Sequence, residues 1–188
     1  MADWDVDGLN VYGRALLGRY ESVKRSHGRD GIDDVFREMI KKGYNGPSHT
    51  GEIEYEEKFP FEHMLIFLKS YLDLYGDSDF DMMSKRAPNM KESMGWYVKW
   101  SKKPRTLLKK SKRYWADFYD FGRLEGKKTG SGEGVLKGFD ICVATPLFCR
   151  SLTNYFEGVM ETIDIDAEAE HTKCSLKGDH FSEWKIKW

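Results

Sequence analysis

Apolar residues recur at helical spacing through the first part of the chain and switch to alternation toward its end. Leu16, Leu17, Tyr20 and Val23 fall on one side of a helix over 12–23, which Gly28 ends. Ile32, Val35, Phe36, Met39 and Ile40 predict a second helix over 30–42; Lys41 and Lys42 suit its negative end and Gly43 stops it. Residues 44–58 form a polar connection containing Gly46-Pro47 and the run Glu52, Glu54, Glu56, Glu57. Met64, Leu65, Leu68, Tyr71 and Leu72 line a helix over 60–75, which Gly76 caps. A further helix follows over 77–95, limited by Pro88.

Residues 105–115 predict a short basic helix. From Asp117 the period becomes strand-like, with Phe118, Asp120, Gly122 and Leu124 on one side and Tyr119, Phe121, Arg123 and Glu125 on the other. A glycine-rich turn over 128–134 leads into a second strand over 135–143. Thr145-Pro146 then reads as a helix start, a hydroxyl N-cap followed by proline at the first helical position. Leu147, Phe148, Leu152, Tyr155, Phe156, Val159, Met160 and Ile163 carry that helix over 145–163. After the acidic passage 164–170, Thr172, Cys174 and Leu176 alternate with polar residues. Gly178-Asp179 turns the chain, and Ser182, Trp184, Ile186 and Trp188 alternate again. The order predicts an α+β fold in one domain, 1–188. Its parts are a mainly helical stretch, 11–113, and a hairpin–helix–hairpin unit, 114–188. The two hairpins make an antiparallel sheet, and the long helix packs across one face.

Composition narrows the function classes. An apolar fraction of 40% with 14% aromatic residues is enough for a real core. Thirty basic and thirty-one acidic residues nearly cancel, so no global field draws the chain to nucleic acid. Three cysteines, without the basic-then-apolar start of a secretion signal, point to thiols in a reducing, cytoplasmic setting. No apolar run reaches the roughly 20 residues a membrane span requires.

Within this frame the second half resembles the 4-vinyl reductase domain superfamily. Its relatives include the haem nitric-oxide-binding domains and the Golgi transport-particle subunits. The residues that carry the resemblance are Trp115-Ala-Asp-Phe-Tyr-Asp-Phe-Gly122, Asn154-Tyr155-Phe156-Glu157-Gly158, Cys174-Ser-Leu-Lys-Gly178-Asp179 and Trp184-Lys-Ile-Lys-Trp188. Uncharacterised prokaryotic members with a helical N-terminal half are similar in addition at Gly13-Arg-Ala-Leu-Leu-Gly18 and Phe59-Pro60-Phe61. The resemblance implies a domain that binds a small, mostly apolar ligand between helix and sheet. It also implies a sensory or accessory role and homodimers. Metal-binding members carry a second cysteine after the Gly-Asp turn, where this chain has Ser182. The haem branch uses a proximal histidine and a Tyr-x-Ser-x-Arg motif, and no tyrosine here begins that motif.

Candidate chemistry is sparse. The pocket residues expected from the resemblance and the aromatic pattern are Trp115, Phe118, Phe148, Tyr155 and Phe156, against a plain reading of the same side chains as core. Trp96 and Trp100 belong to the same aromatic group. Cys174 is the one metal-ligand candidate, with His171 and His180 nearby and Cys142 and Cys149 upstream. His171 and Cys174 lie three apart on a predicted strand, so they are expected on opposite faces and the thiols as small core residues. No cofactor is predicted, and the sequence leaves zinc and haem open. No nucleophile–base pair or phosphate-binding loop emerges, so an enzyme is the least supported class. The rival to a ligand-binding domain is an interaction module that docks an acidic partner through the basic residues of 99–113.

Overall fold

A computed structural model describes residues 4–89, 93, 103–141 and 145–188. Trp96, Trp100, Cys142, Lys99 and Lys102 lie outside the described residues. Strand β1, Asn10–Tyr12, leads into helix α1, Gly13–Lys41; strand β2, Lys58–Pro60, leads into helix α2, Phe61–Arg86. Helix α3, Pro104–Ala116, precedes the hairpin of β3, Arg123–Lys128, and β4, Glu133–Phe139. Helix α4, Pro146–Glu161, then joins it to β5, Glu168–Lys173, and β6, Ser182–Lys187.

Both long helices break where the sequence places glycine. Gly28 and Gly76 sit at φ +71° and +79°, the left-handed region that a side chain disfavours, so α1 and α2 each consist of two helical arms. Thr145 caps α4 as expected, its Oγ1 accepting from Leu147 N at 3.3 Å.

The α+β class and the antiparallel sheet agree with the alternation pattern. The four-stranded sheet has the order β3-β4-β6-β5, so the pairing of β4 with β6 joins the two hairpins. Its inner face carries Leu124, Leu136, Trp184 and Ile186, all buried. Helix α4 lies across that face: Trp184 Nε1 donates to Thr153 Oγ1 at 3.0 Å, and Phe156 meets the Trp184 ring edge-on at 5.2 Å. Helix α2 crosses the other side of α4, so close that a Cβ at Gly158 would fall on the Lys85 carbonyl oxygen.

Two boundaries differ from the sequence pattern. The alternation from Asp117 is not part of β3, which begins only at Arg123. Instead residues 118–120 are tied to the N-terminus: Tyr12 N donates to Phe118 O, Asn10 N donates to Asp120 Oδ1, and Lys58 pairs with Asp120. Gly122, at φ +62°, then turns the chain into β3. The β1–β2 ribbon that receives this link was not expected, because each strand has only three residues and its pattern is too short to read. At the other end, the strand expected through Leu176 stops at Lys173, and residues 175–177 make a helical turn.

Candidate functional site

A cavity of about 70 Å³ lies between α3, α4 and the inner face of the sheet. Helix α3 supplies Leu107, Leu108, Tyr114 and Trp115; α4 supplies Leu152, Tyr155, Phe156, Val159 and Met160. The sheet supplies Leu124, Leu136 and Ile186, and the link after α3 supplies Phe118 and Tyr119. The amphipathic pattern of α3 explains its place: the apolar face meets the sheet, while Lys109, Lys110, Lys112 and Arg113 point to solvent. Of the expected pocket residues, Trp115, Phe118, Tyr155 and Phe156 border this one space. Phe148 does not. It is fully buried against Phe61 and Tyr119, at 4.9 and 5.8 Å between ring centroids, because its position on α4 faces α2 and the N-terminus of that helix.

The polar groups at the cavity are few. Ser111 Oγ donates to Leu124 O at 3.2 Å, and Trp115 Nε1 donates to Phe121 O at 2.7 Å. Tyr155 shares a hydrogen bond of 3.1 Å with Ser93. Burial raises the Tyr119 and Tyr155 hydroxyls above the ordinary phenol value, so both are neutral; the nearby Arg19 charge only partly offsets this.

Arg19 is the exception in an otherwise apolar lining. It comes from α1 and is 2% exposed. Its guanidinium reaches Ala15 O and Ser151 Oγ, both at 3.4 Å, and lies 5.5 Å from the Tyr155 ring centre. Among the described residues its buried Nε has no hydrogen-bond partner and no carboxylate pairs with it. Sequence reasoning passed over Arg19, although the signal was there: it falls on the same helical stripe as Leu16, Tyr20 and Val23, where a charge must enter the core.

A second cluster lies at the far end of α4. Cys149, His171 and Cys174 present ligand atoms that are all within 4.8 Å of one another. Cys149 and Cys174 are buried and not in a disulfide. His171 stacks on Trp184, with 4.6 Å between ring centres, and among the described residues its buried Nε2 has no hydrogen-bond partner. The expected opposition of His171 and Cys174 is overturned by a β-bulge. His171 pairs with Trp184 and Lys173 with Glu183, so Thr172 is an extra residue that reverses the parity of the strand. Cys174 is thereby turned to the same face as His171. Ser182 accepts a bond from Ser175 N at 3.1 Å, next to Cys174. Two thiols and one imidazole are the donor set of a soft or borderline metal such as zinc, with the fourth position left to a further ligand.

No protein-family model matches the sequence, and no curated protein matches it. Solved structures do match. An oxygen-binding H-NOX domain related to soluble guanylate cyclases, in its oxygen complex, superposes with TM-score 0.65 at 12% identity over 94% of both chains. The chain has the H-NOX fold. An H-NOX protein from S. oneidensis in the Fe(II)NO ligation state gives TM-score 0.64 at 10% identity, over 94% of this chain and 98% of that one. The Fe(II) unliganded H-NOX protein from K. algicida gives 0.61 at 12% identity, over 94% and 95%.

The H-NOX fold raises the question of haem, since haem distortion in that family is the subject of another matching structure. The described residues around the cavity do not fit one. All five histidines are described and none borders the cavity. His27 stacks on Tyr75, His49 pairs with Glu52, His63 meets Asn45 and His171 lies on Trp184. The phenols of Tyr119 and Tyr155 are held protonated, which opposes ligation of iron as phenolate. The space is also small, against the roughly 300–1,000 Å³ of ligand pockets in general.

Proposed function

We propose that this chain is a small-molecule-binding sensory domain that uses the H-NOX fold with its cavity turned to an apolar guest in place of haem. The observation that carries this reading is the apolar cavity walled by α3, α4 and the sheet, with no histidine on its lining. Oxygen and nitric oxide complexes among the similar structures support a sensory use of the same fold. The cavity of about 70 Å³ is roughly half the ~150 Å³ that accommodates benzene in an engineered core, so the guest is compact. The interaction-module reading is less favoured, because α3 turns its apolar face to the cavity and its exposed side is mainly lysine and arginine. Xenon tests the proposal: equilibrated with the protein under pressure and followed by NMR, it should shift the signals of Leu136, Leu152 and Ile186. Unchanged spectra at those residues would show a solid core and sink the reading.

A second reading concerns the thiol–imidazole cluster. The unpartnered, buried His171 Nε2 beside two thiols supports a zinc site that clasps α4 to the β5–β6 hairpin.

A further inference from the structure

A guanidinium is protonated at every pH a protein meets, and removing it from water without a partner is among the costliest things a fold can do. Buried arginines are therefore met by carboxylates or by several carbonyl oxygens. Arg19 has neither among the described residues. Its hydrogen bonds to Ala15 O and Ser151 Oγ, both 3.4 Å, are long; these and its interaction with the Tyr119 hydroxyl all go to neutral oxygens, and among the described residues Nε has no partner. Four acids of the neighbouring helices are engaged elsewhere. Asp77 and Asp81 take Arg150, and Glu157 and Glu161 take Lys85. The guanidinium meanwhile borders a cavity whose remaining lining is apolar or neutral.

We propose that Arg19 is the anchor for the carboxylate of the guest, so that the cavity takes a short-chain apolar monocarboxylate, hydrocarbon against Leu136 and Leu152 and carboxylate on the guanidinium fork. This deepens the proposed function and rests on that reading of the cavity. A planar fork of N–H donors matches the two oxygens of a carboxylate, and the bond gains from charge on both sides. The Tyr119 hydroxyl, held neutral by burial and interacting with Arg19, can turn its proton to the same anion, while the Tyr155 hydroxyl stays with Ser93. The small volume sets the chain length at a few carbons and leaves the half-buried Val159 and Tyr155 as the rim past which a longer chain would extend.

The test is isothermal titration of the full chain at pH 7 with butyrate and hexanoate, each against its neutral counterpart, 1-butanol and 1-hexanol. The acids should bind at least about tenfold more tightly than the alcohols, the value of one charge-assisted bond. In R19M the preference should vanish while the alcohols still bind, and R19K should keep part of it. Should R19M fail to fold, the wild-type ¹⁵Nε resonance of Arg19 gives an independent readout: it should move with butyrate and stay with 1-butanol. Equal binding of acid and alcohol by the wild type would overturn the carboxylate assignment and leave the cavity reading standing. Binding of neither would overturn both. Glu92 adjoins Ser93 in sequence, and an E92Q variant that gains the acid preference where the wild type lacks it would mean that the chain supplies its own counter-ion.

Discussion

Replacing Val159 by Phe asks whether the space between α3, α4 and the sheet is empty. Val159 is half-buried on the rim of the cavity, one turn along α4 from Tyr155, so a benzyl side chain can enter the void or stay outside it. Valine and phenylalanine have similar helix propensity, so α4 itself is not the variable. A void in a core costs about 24 cal/mol per Å³, and over about 70 Å³ this gives a ceiling of about 1.7 kcal/mol that a filling side chain recovers. For a chain of this size that corresponds to about 3–7 °C in Tm. Urea denaturation should show a higher midpoint with an unchanged slope, and xenon binding should be lost. A V159F protein that unfolds at the wild-type midpoint or below, and still binds xenon as the wild type does, refutes the reasoning: the ring would then have found no void to fill.

Three further outcomes follow from other parts of the molecule. One equivalent of Zn²⁺ should bind to the reduced protein and raise its Tm; C149S or C174S should abolish this and S182C should tighten it, as read by elemental analysis and thermal shift. G158A should destabilise by about 1–3 kcal/mol in urea, because its methyl group would fall on the Lys85 carbonyl oxygen where α2 crosses α4. Burial lowers the His63 pKa from 6.5, so the unfolded chain takes up a proton that the folded chain refuses. Stability from this group is therefore complete above pH 6.5 and falls as the pH drops through the lower folded value; H63Q should flatten that part of a stability–pH curve.

The pattern along the chain was enough for the class and for the longer elements, though not for β1, β2 or the start of β3. Helical periodicity, Gly28 and Gly76 as breaks, and Thr145-Pro146 as a start are local signals, and each is found where local stereochemistry requires it. Alternation likewise fixed which residues of β6 face the core, since the period of a strand is two. The resemblance named haem nitric-oxide-binding domains among its relatives, solved H-NOX structures share the fold, and the expected pocket residues other than Phe148 border one space. Tertiary structure alone decided the chemistry. A single extra residue, Thr172, put His171 and Cys174 on one face; nothing local marks a bulge, because it arises from pairing with β6. The docking of residues 118–120 against β1 depended on a contact more than a hundred residues away. Whether the apolar stripe that carries Arg19 would meet an acid or an empty space depended on which helices packed against it. Burial of a charge is a property of the assembled core, and a stretch of sequence can place that charge on a stripe without saying what lies opposite.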